Sequence, residues 1–332
     1  MVEVKVLAGQ REIGGVCIRV EDRDEAIVFD QGVRFSVLSA FYSRRVEPKG
    51  VPELRSIGAI PPLEAFSGVK GVYVSHLHLD HLGLLGALPP RSKVYVPSLD
   101  ALNLPKSWYA RSSSWLAWIP PGYAVEVEEA RLYREDSNQV MALPVDHSSY
   151  PSTAYVYFGS DETVLYTGDL RLTPLLQGEL HEALHGRPLT SFLEEERVKV
   201  DCLILEGTNV GQPVSPTTPA QLVGLIEELA RSNLSFMVAL HHYDLDQALL
   251  TLRALKAAGR RPVVASNRLA DSLSLWRSKV QPLQSELDEV MVLTPEKPYS
   301  FESIEAEEVV EEPACYALLA DLWGLVDFIR SW

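Results

Sequence analysis

At 332 residues, with 46% hydrophobic and 23% charged residues, the chain is long enough for one large or two medium units and has the composition of an ordinary soluble globular protein. A formal net charge of −15 excludes a globally basic nucleic-acid binder. It leaves Arg44-Arg45, Arg91, Lys93, Arg111 and Arg260-Arg261 as either a local basic rim or scattered solvated arginines. No apolar run approaches the roughly 20 residues that span a bilayer, and Met1–Lys5 lacks the basic start and apolar core of a signal peptide. Cys17, Cys202 and Cys315 are odd in number, far apart and without metal-ligand spacing, so buried free thiols in a reducing cytoplasm are expected.

The first two hundred residues read as short strands punctuated by turns. Val2–Leu7, Val16–Val20 and Ala26–Phe29 begin an N-terminal sheet. Val69–Val74, Lys93–Val96, Ala124–Val127, Val140–Leu143, Ala154–Phe158 and Thr163–Tyr166 continue the pattern. Many short strands with a few helices predict an α/β arrangement in which two sheets pack face to face with helices outside. The pattern changes after about residue 210. Thr218 is a good N-cap with Pro219 at the first helical position, and Gln221–Ala230 follows at helical spacing. Ser235–Leu240 is an apolar strand. Asp244 and Gln247 have capping-box spacing, and Leu245, Leu249, Leu252 and Leu255 share one face of the helix behind them. Gly259 ends that helix and Pro262–Ala265 is the next strand. This alternation predicts a small parallel sheet, hence a second α/β unit. Glu305–Glu312 is an acidic run, and Cys315–Trp332 is expected to form a final apolar helix.

Chemistry concentrates in Ser75-His76-Leu77-His78-Leu79-Asp80-His81, directly after the apolar run Gly71–Val74. Three of the chain's eight histidines fall there. A strand delivers the chain to a turn, and alternation puts His76 and His78 on one side, within reach of one metal. Asp80 and His81 point elsewhere and suit a second metal nearby. Two further strand ends carry ligand types. One is Leu143–Ser148, with His147. The other is Leu165–Arg171, with Asp169 behind Gly168, where glycine permits close backbone approach.

In order, His76-Leu77-His78-Leu79-Asp80-His81, Asp146-His147-Ser148 and Tyr166-Thr167-Gly168-Asp169 resemble the motifs of the metallo-β-lactamase fold. Val28–Gly32 resembles its first motif, whose strand-end aspartate is mainly structural. Gly9-Gln10-Arg11-Glu12-Ile13-Gly14-Gly15 resembles the opening of ribonuclease J-like proteins. Leu203–Asn209 is similar to the acidic motif that opens the β-CASP insertion of nucleases in this superfamily. The resemblance implies an αββα sandwich over residues 1–209 and a smaller β-CASP-like α/β domain over 210–332. It implies two zinc ions per chain, with manganese as the alternative at an oxygen-rich site. His76, His78 and His147 would hold one ion, Asp80 and His81 the second, and Asp169 would bridge. Asp80 and Glu206 are the candidate catalytic carboxylates, Glu206 either supporting the ligands from behind or transferring a proton, and Ser148 either contacts a phosphate or caps a local turn. Two such ions acidify a shared water and clamp substrate oxygens.

The function so implied is that of a zinc-dependent hydrolase, a phosphodiesterase acting on RNA or single-stranded DNA, with Trp108, Tyr109, Trp115 and Trp118 either stacking on bases or packing. The alternatives are a small-substrate hydrolase of the same fold and a non-catalytic, nuclease-like scaffold in RNA processing. The β-CASP pattern ends on a histidine, yet no histidine follows His242. A truncated or divergent member, a homodimer, or a second chain completing the site is therefore expected, with His241 and His242 either supplying a substitute or serving as ordinary polar residues of a strand-end loop.

Overall fold

A computed structural model describes residues 1–42, 46–120, 124–211, 217–232, 235–295 and 297–321. Arg44 and Arg45 lie outside the described residues. The chain divides into two compact units. The first comprises Met1–His147, Pro151–Leu170 and Arg187–Gly211. The second comprises Ser148–Tyr150, Arg171–Gly186 and the described residues from 217 onward. No helix is long and apolar enough to cross a membrane among the described residues.

The first unit holds two sheets. One has the order β1 (Val2–Ala8), β2 (Cys17–Asp22), β3 (Glu25–Phe29), β4 (Val69–Tyr73), β5 (Lys93–Val96), β6 (Glu126–Glu129). It is antiparallel from β1 to β3 and parallel from β3 to β6. The other runs β10 (Cys202–Ile204), β9 (Thr163–Tyr166), β8 (Ser152–Phe158), β7 (Val140–Val145). Every strand expected from the sequence in this half is present. Alternation drives the two sheets together, since β1, β2 and β3 turn Val2, Ile18, Val20, Ile27 and Phe29 onto Tyr155, Tyr157, Val164 and Tyr166 of the facing sheet. Aromatic rings fill this layer: Phe29 stacks on Tyr166 at 5.1 Å, and Tyr73 stacks on Tyr95 at 4.6 Å. Such pairs add about 0.5–1.5 kcal/mol each to their burial. The reverse face of the second sheet, through Leu143, Val156 and Leu165, packs on Phe192 of the helix Leu189–Glu195. The result is a layered α/β sandwich.

The second unit is built on one parallel sheet of order β11 (Phe236–Ala239), β15 (Tyr316–Ala320), β12 (Arg261–Val264), β13 (Met291–Leu293), β14 (Glu302–Ile304). The helix Pro219–Ala230 starts at Thr218, which forms a reciprocal capping box with Gln221. The helix Leu245–Ala257 starts at Asp244, whose carboxylate accepts from the Gln247 N–H, and it buries Leu245, Leu249, Leu252 and Leu255. The acidic run is itself a short helix, Ala306–Glu311.

One sequence expectation fails here. Tyr316–Ala320 is not part of a final helix but an inner strand of the parallel sheet, and residues 322–332 lie outside the described residues. A five-residue apolar run buried on both faces has no period-two signature, so it reads equally as helix or as inner parallel strand. Arg260 also departs from the basic-rim reading. It is buried, and its guanidinium donates to the carbonyls of Ala230, Ser232, Pro313 and Tyr316.

Candidate metal centre

The site begins with β3 and β4, which lie parallel and end together. Beyond Phe29 the chain takes a left-handed turn at Asp30 (φ 55°), a conformation aspartate tolerates better than most residues. The turn aims a fully buried carboxylate at the end of β4. Asp30 Oδ1 accepts from the Ser75 N–H at 2.7 Å, and Oδ2 accepts from Ser75 Oγ at 2.8 Å, from His81 Nδ1 at 2.7 Å and from the Tyr166 hydroxyl. Backbone bonds then fasten residues 30–33 to the histidine loop: Asp30 N–H to Tyr73 O, Gln31 N–H to His81 O, and Val33 N–H to Leu79 O. The facing sheet grips it as well, through the Thr153 N–H to Ser75 O and the Tyr155 hydroxyl to Val74 O.

The glycine-rich opening completes this frame. Gly14 (φ 73°) lies so close to Asp80 that a Cβ there would stand 2.0 Å from Asp80 Oδ2. The next residue but one, Val16, donates its N–H to Asp80 O. Gly168 (φ 57°) lets the Asp169 turn approach Ser75, whose Cβ a side chain would meet at 2.7 Å.

Within the frame the imidazoles converge. His76 and His78 present Nε2 and Nδ1 to each other at 3.1 Å. Two nitrogens sharing a tetrahedral zinc at about 2.05 Å from each would sit roughly 3.3 Å apart, so the pair is set at ligand spacing. Ser75 Oγ spends its one proton on Asp30, so the 3.0 Å contact with His76 Nδ1 has the histidine donating. The lone pair of His76 Nε2 is then left facing His78. Atoms of His76, His78 and His147 lie within 4.8 Å of one another, as do atoms of His76, His81 and Asp169. His76 therefore belongs to both groups. Asp169 faces both ways, with Oδ1 3.5 Å from His81 Nε2 and Oδ2 3.6 Å from His147 Nε2. Asp80 stands at the margin, its Oδ2 3.9 Å from His81 Nε2.

His81 tests whether a cation fits. Its ring is fully buried, Nδ1 is held by Asp30, and Nε2 has no hydrogen-bond partner. Burial alone would lower its pKa, but the Asp30 and Asp169 carboxylates outweigh burial and hold it well above the usual histidine value. Burial raises the Asp80 carboxyl, with His81 opposing. Burial also works against ionised Asp169, yet His81 and His147 outweigh it and hold that carboxyl below its usual range. A buried set of imidazoles and carboxylates that needs positive charge among them, with one ring nitrogen orphaned, fits divalent cations.

The remaining sequence candidates fall elsewhere. Glu206 sits in the loop after β10, where its carboxylate accepts from the Thr208 N–H at 3.0 Å. The register of β10 on β9 pairs Ile204 with Tyr166, and the Thr167 N–H donates to Ile204 O, so Glu206 leaves the sheet beside the Asp169 turn. Ser148, His241 and His242 belong to the second unit. There the rings of His241 and His242 stack at 4.5 Å, and burial, then His241 and Arg268, push His242 down to about 3. Tyr109 is buried, Trp115 packs edge-on to Phe35, and Trp118 is 44% exposed. The sequence reading missed His181-Glu182-Ala183-Leu184-His185 on the helix Gly178–His185. Its signal was the i, i+4 histidine spacing with glutamate second.

Comparison with known proteins fixes the family. The profile of the metallo-beta-lactamase superfamily matches residues 67–266. The chain belongs to the metallo-beta-lactamase superfamily. A crystal structure of a protein of unknown function from Enterococcus faecalis V583 superposes with a TM-score of 0.64 at 18% identity, covering 97% of this chain and 76% of that one, and shows the same fold. Among curated proteins the chain is similar to Ribonuclease J of Pyrococcus abyssi, at 25% identity over 69% of this chain and 50% of that protein. It is also similar to RNase aCSPSF2 of Saccharolobus solfataricus, at 29% over 51% and 33%, and to the 5′ exonuclease Apollo of Gallus gallus, at 27% over 61% and 39%. The chain thus spans between a third and a half of the length of these relatives. As a member of this superfamily it has the fold of a metal-dependent hydrolase.

Proposed function

We propose that the chain is a two-metal phosphodiesterase acting on RNA or single-stranded DNA. The observation that carries the reading is the pair of ligand groups that share His76 and are spanned by the two oxygens of Asp169. Three imidazoles, His76, His78 and His147, would hold one zinc, a donor set that suits it. His81 and Asp80, with the Asp169 carboxylate bridging, would hold the second, where the greater oxygen content also admits manganese. When bound, the ions supply Lewis acidity toward a water nucleophile and toward phosphate oxygens. The chain's own residues do the positioning. Asp30 fixes the His81 ring, Ser75 fixes His76, and Gly14 and Gly168 admit Asp80 and Asp169 to close range. Glu206, leaving the sheet beside the Asp169 turn, would carry the proton to the departing oxygen. Residues 210–332 would form a β-CASP-like domain, in line with the Leu203–Asn209 motif and the nuclease names of the relatives.

A second reading has one specific support, a 31% identity over 120 residues to a 3′,5′-cyclic-nucleotide phosphodiesterase of Aliivibrio fischeri. It keeps the phosphodiester and shrinks the substrate. Purified protein loaded with zinc or manganese and incubated with labelled RNA, single-stranded DNA and cyclic nucleotides separates the two. Cleavage of polynucleotide, with affinity falling steeply as salt rises, supports the first. Turnover of cyclic nucleotide alone supports the second, and no cleavage of any with both ions bound overturns both.

A further inference from the structure

The second unit contains a cluster that the hydrolase reading does not use. On the helix Gly178–His185, His181 and His185 are one helical turn apart and face the same way, their rings 4.9 Å apart. Asp246, in the first turn of the helix Leu245–Ala257, meets them: His185 Nε2 lies 2.8 Å from Asp246 Oδ1. One ligand atom from each of the three lies within 4.8 Å of the others.

Two observations point beyond an ordinary buried ion pair. Asp246 is fully buried, and its second carboxylate oxygen has no hydrogen-bond partner. His181 Nδ1 is buried and likewise without a partner. A carboxylate oxygen stripped of water and left unmatched is destabilising, and an imidazole nitrogen beside it adds to the cost. A single cation on all three residues relieves both. We propose that His181, His185 and Asp246 bind a zinc ion of their own, separate in composition from the centre built on His76.

The sequence supports the same ion. His181-Glu182-Ala183-Leu184-His185 is the H-E-x-x-H pattern, which sets two histidines on one helix face for zinc. Where that pattern serves peptidases, its glutamate turns to the metal as general base. Here Glu182 is exposed while His185 and Asp246 are buried. The site is therefore a structural clip that ties two helices of the second unit, not a peptidase centre. Aromatic packing seals it, with Tyr150 edge-on to His185 and Trp276 edge-on to Tyr150. Two histidines and one carboxylate leave a fourth position for a water or for the second oxygen of Asp246.

Cobalt(II) titration of the full, metal-stripped chain tests this, read by the visible bands of a four-coordinate N/O site and by metal content after dialysis. Three equivalents are expected for the unaltered chain, and two for His181→Gln. A second measurement does not depend on how that variant folds. The triple variant His76→Ala/His81→Ala/Asp169→Ala strips the first centre of at least two ligands per ion and should still retain one zinc per chain. Adding Asp246→Asn should remove it. An unaltered chain that saturates at two equivalents, with the triple variant folded by circular dichroism and metal-free, overturns the proposal and leaves a histidine–aspartate ion pair.

Discussion

The two histidine clusters solve the same problem with different backbones. Around His76 the proposed ligands come from strand ends, turns and the single helical turn Leu79–Leu82, which carries Asp80 and His81. Their placement rests on Asp30, Ser75, Tyr166 and glycines that let backbones touch. Around His185 the spacing comes from the α-helix itself, and only Asp246 must be brought in from a second helix. A loop-built centre can seat two ions and expose them to substrate, but it needs an elaborate support. A helix-built one needs little support and offers one buried position. Loop centres suit chemistry for that reason, and helix clips suit stability.

The largest test of this contrast is His76→Ala. Its Nε2 faces His78 and lies close to the His81–Asp169 group as well, so the ion at His78 and His147 should lose more than about 100-fold in affinity, hydrolysis should fall with it, and the ion at His81 should weaken less. Metal content and turnover check it. Undiminished affinity at the His78 site would remove His76 from the ligand set. Next comes Asp30→Asn, which touches no ion. It removes the acceptor that orients His81 and anchors Ser75 and Tyr166, and should cost about 10–100-fold in affinity for the His81 ion. Thermal stability should fall by about 1–3 kcal/mol as buried donors lose their partner. Unchanged affinity with lowered stability would reduce Asp30 to a purely structural role. Gly14→Ala should act more mildly. Its left-handed backbone costs about 1–2 kcal/mol with a side chain, and the new methyl must push Asp80 aside. Occupancy of the ion beside Asp80 should drop while that at His78 and His147 holds. Equal occupancy of both ions in this variant would remove Asp80 from the ligand set.

The same contrast explains what the sequence could reveal. The strands of the first unit were legible because alternation is a local signal, and the histidine loop because its ligands are contiguous. Thr218 and Asp244 announced their helices for the same reason. Tyr316–Ala320 was not legible, because a strand buried between parallel neighbours loses alternation and looks like any apolar segment. Arg260 misled because charge predicts exposure, whereas its guanidinium here donates to four carbonyls from two separate segments, 230–232 and 313–316. Sharing of His76 between two ligand groups, and the meeting of Asp246 with His185, depend on contacts between residues far apart in the chain. Spacing along the sequence carries no record of them.

The smallest expected effect concerns a signal that was both local and correct. Thr218 Oγ1 accepts from the Gln221 N–H at 3.2 Å, and Gln221 Oε1 accepts from the Thr218 N–H at 2.9 Å. Thr218→Ala should lower the stability of the second unit by about 1 kcal/mol, since one N-terminal N–H of the helix loses its acceptor to nothing but water. The cap is exposed and remote in composition from both histidine clusters, so metal content should stay at its original value while the melting temperature drops by a few degrees. Loss of metal with this variant would show that the clip and the sheet of the second unit are energetically coupled, and would weaken the claim that a helix-built site needs little support.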